Sequence, residues 1–347
     1  MLSKRNKPIN LEPSDVKFFE HELVKEIPDH KIQAYDGKTI VTPDGVVIWR
    51  GGLEIESLYS DQHIFFLNGI YKTYYRYVSL FKENVKGPFL HAFDPWVMGY
   101  FHWVTEFIPR LFKAKHLLTE STVILPSVNN GIWNSASAIR SLYKKGSQIP
   151  QNGYFTESLE AFQLKSTYRH EARNPLIARN LYFSSHVAPS GNYNDLVMKE
   201  LRGFYFKYYD IKNEVSNRLV YVSRNMASRR YIQNEQEVIE SLRTLGFEIF
   251  ELETLTFREQ VILFSQTKFF ISQHGAALTN LLFMKEDTFV LELKIEGDFQ
   301  NLCYFSLASA MNVNYLYQFC MGDGRGVQDA DIVVDIGKLT ENITLAL

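Results

Sequence analysis

A chain of 347 residues is longer than a single hydrophobic core usually grows, so two domains are expected. With 46% hydrophobic and 22% charged residues it is not a disordered chain, and a formal charge of −2 supplies no electrostatic ground for a nucleic-acid partner. Its only cysteines, Cys303 and Cys320, are too few for a disulfide framework and lack the paired spacing of a thiolate zinc site.

The amino-terminal stretch MLSKRNKPINLEPSD has basic residues but no apolar run behind them, so it does not read as a secretory signal. Apolar runs such as Val46 to Trp49 and Leu281 to Met284 fall far short of the ~20 residues that span a bilayer. The expected location is cytoplasmic, peripheral to the inner membrane face if the substrate is membrane-linked. The triplet Asn342-Ile343-Thr344 has the form of a glycosylation sequon, which carries no weight without a signal. Aromatic residues reach 14% and cluster at Tyr71 to Tyr77 and Phe204 to Tyr209. Cores and carbohydrate-binding faces both use such side chains.

In chain order, Lys38 to Arg50 is two β-rich runs around Pro43-Asp44-Gly45, a hairpin signal. From Val97 to Leu118 the apolar residues Val104, Phe107, Ile108, Leu111 and Phe112 recur at helical spacing, with Pro109 implying a kink or a late start. Ser121 to Pro126 reads as a buried strand. A strand from Leu181 gives way to Pro189, Ser190 and Gly191, the expected domain boundary, and Asp195 is expected to cap a helix to about Tyr209. Beyond it strand and helix alternate: strands at 218–223, 247–252, 268–272 and 289–293, helices at 235–245, 256–265 and 276–284. Such alternation predicts a parallel sheet, whose ligands bind at the carboxyl ends of the strands.

Two loops at that edge hold candidate ligands. Ser272-Gln273-His274-Gly275-Ala276 turns from strand to helix with small residues that let an anion approach the backbone amides. Ser223-Arg224-Asn225-Met226-Ala227-Ser228-Arg229-Arg230 places three guanidiniums on one loop, suited to a diphosphate. Each pattern is equally what tight packing or a solvated basic loop would show. Asn234 is a helix-cap candidate, and Glu292 interrupts an apolar strand, where a carboxylate is either paired or faces a sugar hydroxyl. In the first half, His102 and Glu106 are four residues apart, one above the other on a helix, an arrangement that suits a general base and its orienting partner. A solvated pair has the same spacing. Asp329-Ala330-Asp331 has metal-ligand spacing but reads as a loop and a strand start.

Together these segments resemble glycosyltransferase family 61, whose members include bacterial capsule and surface-polysaccharide enzymes. The resemblance rests on His-Trp-x-x-Glu-x-x-Pro-Arg-Leu at 102–111, the strand 181–184, Ser223-Arg224 with Arg230 and Asn234-Glu235, Glu259-Gln260, His274-Gly275-Ala276-x-x-Thr279-Asn280, Glu292-Leu293, and Asp331 to Asp335. It implies an α/β fold of the GT-B kind, a pair of Rossmann-like lobes with a cleft between them. Residues 1–190 would be the acceptor and catalytic lobe, 191–330 the nucleotide-sugar lobe, and 331–347 a carboxyl-terminal strand and tail. The implied function is inverting transfer of a sugar from a nucleotide-sugar donor to a glycan or glycoconjugate acceptor, in surface or capsular polysaccharide biosynthesis. Glu106, oriented by His102, would be the catalytic base, at a position where many relatives have Asp. Arg224, Arg229, Arg230, His274, Gly275, Ala276, Thr279 and Asn280 would hold the donor, with Glu292 on its ribose. No metal or other cofactor is expected, the nucleotide-sugar being a co-substrate, and no nucleic-acid partner; the oligomeric state is left open. A non-catalytic nucleotide-sugar or glycan-binding module on the same fold is the alternative, and a sugar-nucleotide epimerase or hydrolase a further one.

Overall fold

The computed structural model describes residues 2–27, 29–43, 45–58, 70–81, 84–94, 96–126, 153–170, 174–189, 191–212, 214–227, 229–298, 301–327 and 329–347. The chain is α/β and divides into two compact units, residues 28–187 and residues 1–27 with 188–347. The first 27 residues, placed by sequence with the acceptor lobe, therefore group with the carboxyl-terminal unit. Their anchors explain this. Strand β1 (Leu2–Lys4) pairs antiparallel with β2 (Val24–Glu26), Arg5 is ion-paired with Asp195, and Arg5 also donates to the Tyr193 carbonyl at 2.7 Å. Phe19 is buried edge-on against Phe305, with ring centres 5.0 Å apart.

In the unit 28–187, β3 (Ile32–Val41) and β4 (Val47–Trp49) form the predicted hairpin, with Val41 opposite Val47. Gly45 turns it at φ 90°, and a Cβ there would lie 2.7 Å from the Phe93 carbonyl, so position and conformation both demand glycine. Asp44 lies outside the described residues. The sheet continues with β5 (Gly52–Leu53), β6 (Phe89–His91), β7 (Thr122–Leu125), β8 (Thr167–Arg169) and β9 (Leu176–Ser184), in the order β5-β4-β3-β9-β6-β7-β8. Pairing is antiparallel from β5 to β9 and parallel from β9 to β8.

Between β6 and β7 runs the predicted helical segment, with Val104, Phe107, Ile108, Leu111 and Phe112 all buried. It is not one regular helix. An α-turn at Tyr100–His102 passes into a π-helix at Trp103–Phe107 and then an α-helix at Ile108–Lys113. Pro109 has no N–H to give the Thr105 carbonyl, and the turn before it widens so that the Ile108 N–H reaches Trp103. Widened turns of this kind are frequent at functional sites.

The unit built on 188–347 has β10 (Arg218–Val222), β11 (Glu248–Phe250), β12 (Thr267–Gln273), β13 (Phe289–Ile295), β14 (Asn314–Gly322) and β15 (Ile332–Val333). Their order is β11-β10-β12-β13-β14-β15, parallel except for β15. Phe269, Ile271, Leu291 and Leu293 pack one face of the sheet against Val238, Leu242, Leu339 and Ile343. On the other face Phe270 meets Phe264 edge-on at 4.8 Å.

Local details depart from expectation. Asn194, not Asp195, caps the helix Asp195–Tyr208, accepting from Val197 N–H at 3.2 Å, because Asp195 is taken by Arg5. The segment after Gly275 is a 3₁₀-helix, Ala276–Phe283, rather than an α-helix; Asn280 donates to the Ala277 carbonyl at 3.1 Å and Leu278 to Phe283 are buried, so packing sets its pitch. The carboxyl-terminal tail beyond β15 is a helix, Ile336–Ala346, capped by Asp335. Among the described residues no helix is long and apolar enough to cross a membrane.

Candidate active site

β10 sits between β11 and β12, so its flanking connections leave in opposite directions and the carboxyl ends of β10 and β12 form a switch point, the place where ligands of such sheets bind. Both loops singled out by sequence end there. Gly275, in extended backbone after β12, lies against the Arg224 guanidinium: a Cβ on it would be 2.4 Å from Arg224 Nη1 and 3.6 Å from Arg230 Nη2. Arg224 is held by its own loop, Nε donating to the Arg230 carbonyl and Nη2 to the Arg229 carbonyl, each at 3.2 Å. Arg230 adopts φ 60°, a costly conformation for a residue with a Cβ. Its Nε–H is buried without a partner among the described residues. Burial, then the charges of Arg224 and Arg229, push the Arg230 pKa down to about 10. Burial likewise lowers that of Arg224. Neither is ion-paired with a carboxylate among the described residues; the charges of Glu253 and Glu235 on Arg224, and of Asp298 on Arg230, only partly counter burial and the like charges. Two guanidiniums so placed can bond the oxygens of an anion.

The remaining predicted donor residues divide. His274 follows β12 at the same edge of the sheet, and both ring nitrogens are occupied: Nδ1 donates to Glu292 and Nε2 accepts from Asn301 Nδ2 at 3.1 Å. Glu292 is fully buried; its Oε2 accepts from Tyr315, and Lys294 Nζ lies 3.7 Å from Oε1, the oxygen that meets His274. Burial would raise its pKa, but Lys294 and His274 override this and hold it at about 2. The ribose role does not fit this geometry, because the carboxylate faces inward and orients His274. Arg229 points away to Asp329 at 3.0 Å. Ala276 is exposed beside Gly275, whereas Thr279 and Asn280 are buried, Asn280 reaching Gln260 at 3.3 Å. Gln260 in turn ties down the Leu252 and Leu255 carbonyls, and Glu259 completes a capping box with Thr256. Asn234 makes no cap bond; it pairs with Val334 through both amide atoms at 2.9 Å, like an added strand. Glu235, given no role from sequence, accepts from Tyr221 and from Arg224 N–H, anchoring the arginine loop.

In the unit 28–187 the predicted pair meets: His102 Nδ1 donates to Glu106 Oε2 at 2.9 Å. The Glu106 side chain is 1% exposed and that of His102 21%, so the imidazole is the member that faces outward. Burial works against protonation of His102, but the hydrogen bond and charge of Glu106, with the charge of Asp94, prevail and raise its pKa. Asp94 and Arg110 stand behind the pair, both buried, 3.5 Å apart. Sequence reasoning gave neither a role. Arg110 could have been found as a charge inside an otherwise apolar helix face, whereas Asp94 sits in a loop without any periodic signal. Trp103, inside the same motif, is a packing residue that donates to Ser158 at 2.8 Å.

The profile of the family described as Glycosyltransferase 61 matches residues 100–291, more than half of the chain. The chain belongs to glycosyltransferase family 61. The family match holds His102, Glu106, Arg224, Arg230, His274 and Gly275 within one span and ends just before Glu292. Relatives in animals share a shorter segment. The EGF domain-specific O-linked N-acetylglucosamine transferase of Bos taurus is 36% identical over 92 residues, 25% of this chain and 17% of that protein. Its counterparts in Mus musculus and Gallus gallus are 34% and 33% identical over the same length and shares. The matched segment thus spans less than a fifth of these curated relatives.

Proposed function

We propose that the chain is an inverting glycosyltransferase of the two-lobed type, moving a sugar from a nucleotide-sugar donor to a hydroxyl of a glycan or glycoconjugate acceptor, as surface or capsular polysaccharide assembly requires. The observation that carries this reading is the close packing of Arg224 and Arg230 against the bare backbone of Gly275 at the strand switch. The guanidiniums hold the donor diphosphate and stabilise the charge that develops as it leaves. His102 is the base and Glu106 its positioning partner, the reverse of the roles expected from sequence, because the carboxylate is buried and its Oε2 accepts from the ring. With Nδ1–H committed to Glu106, Nε2 takes the proton of the acceptor hydroxyl. The acceptor oxygen bonds to the anomeric carbon as the bond to the diphosphate oxygen breaks, so configuration inverts in a single displacement.

The chain, incubated with nucleotide-sugars, should show a thermal shift with its true donor; a ligand at one hundred times its Kd stabilises by ~2.7 kcal/mol. Arg230→Ala should abolish that shift while the variant still melts cooperatively; a full shift in the variant removes Arg230 from the site. Gly275→Ala should displace the Arg224 guanidinium and weaken donor binding by about tenfold, roughly 1.4 kcal/mol. Calorimetry with wild-type affinity would show that the close approach has no bearing on the donor. Transfer should survive EDTA, since the leaving charge is met by arginine; loss on chelation with recovery on adding manganese would overturn metal independence.

A further inference from the structure

We propose that Trp96 is the platform on which the acceptor stacks, which makes the acceptor a pyranoside rather than a bare peptide or lipid hydroxyl; this rests on His102 being the base. The Trp96 ring lies beside the imidazole, with centres 5.8 Å apart and planes inclined by 34°. It is part-exposed, whereas Trp103, one residue after His102, is 2% exposed. The contrast separates a binding tryptophan from a packing one. The backbone that carries Trp96 is also fixed: its main-chain N–H donates to Asp94 Oδ1 at 2.9 Å, its carbonyl accepts from Gly99 N–H at 3.1 Å, and Asp94 is buried against Arg110. A second aromatic wall flanks the same turn. Tyr100 meets Tyr154 edge-on at 4.9 Å, Tyr154 stacks on Phe155 at 4.1 Å, and the Tyr154 hydroxyl donates to the Met98 carbonyl at 3.2 Å. All are part-exposed. The electron-rich face of an indole attracts the polarised C–H groups on the apolar face of a sugar ring, and a ring with only two side-chain torsions loses little entropy on binding. A ring stacked there presents its edge hydroxyls to the neighbouring imidazole.

The test uses methyl β-glucopyranoside, methyl β-galactopyranoside and methyl N-acetyl-β-glucosaminide, with a threonine peptide as the non-sugar control. Binding is read by saturation-transfer NMR, and transfer by single turnover with the donor found in the thermal screen. At least one pyranoside should bind the wild type. Trp96→Leu, which keeps an apolar side chain but removes the π face, should weaken it about tenfold or more without altering donor affinity, and Trp96→Phe should restore much of the loss. His102→Ala should bind that pyranoside like the wild type yet not transfer to it. Transfer by His102→Ala would sink the base assignment and leave the platform to be judged on binding alone. The platform is overturned if no pyranoside binds the wild type, if Trp96→Leu binds it equally well, or if the threonine peptide alone binds.

Discussion

Single-turnover transfer by a His102→Ala variant should fall by about 10²–10⁴-fold at saturating donor, the usual contribution of a general base, while donor affinity stays at the wild-type value. The motive is the outward-facing imidazole whose Nδ1–H is committed to a buried carboxylate. Glu106→Gln gives the sign of the coupling. The base works unprotonated, so turnover in the wild type rises with pH through the raised pKa of His102. Replacing Glu106 removes its charge and leaves burial, which lowers that pKa, opposed only by the charge of Asp94, so the acid limb should move to lower pH. If the limb stays in place while the plateau collapses, the proton is taken by Glu106 itself; an unchanged rate in both variants would show that this helix is not the catalytic one.

Arg110→Met should destabilise the protein by about 3–5 kcal/mol, the range for removing one member of a buried ion pair. Arg110 is buried against Asp94, donates to the Ser184 carbonyl at 2.8 Å and lies 5.3 Å from the Phe183 ring centre. Burial, then the charge of Glu106, pushes Asp94 up to about 6, with Arg110 and His102 pulling the other way. A carboxyl whose folded pKa is raised costs stability as pH climbs from its unfolded value near 3.8 through its folded one. Without Arg110 that folded value rises further, so the loss should be larger at pH 8 than at pH 5. Urea melts at the two pH values would read it. Adding Asp94→Leu should recover much of the loss, since an apolar pair avoids the unpaired charge. Equal stability of wild type and Arg110→Met at both pH values would mean that the pair contributes nothing.

Glu292 shows how far the sequence could lead toward these sites. In the strand Phe289–Ile295 a carboxylate and an ammonium stand two residues apart, so Glu292 and Lys294 share one face of the sheet and a buried pair is legible. The partners that turn the carboxylate inward, Tyr315 and His274, come from distant positions on other elements. With spacing alone, a ribose contact was as good a reading. The Arg224 and Gly275 loops were placed correctly because strand ends and glycine turns are local signals. That Gly275 is required by a guanidinium, rather than by its own backbone angles, is visible only once two strands are adjacent.

By itself the sequence determined what depends on near neighbours: the hairpin at Gly45, the strand and helix alternation from β10 to β13, and the His102 and Glu106 spacing. Periodicity and turn chemistry act over a few residues and are written in them. The tertiary structure decided which member of that pair is buried, how Pro109 widens the turn between them, why residues 1–27 join the carboxyl-terminal unit, and that Asp94 and Arg110 stand behind the imidazole. Those outcomes depend on burial and on charges brought together from far along the chain. A buried charge is settled by the partners the fold supplies, because leaving it unpaired costs more than any local preference can return.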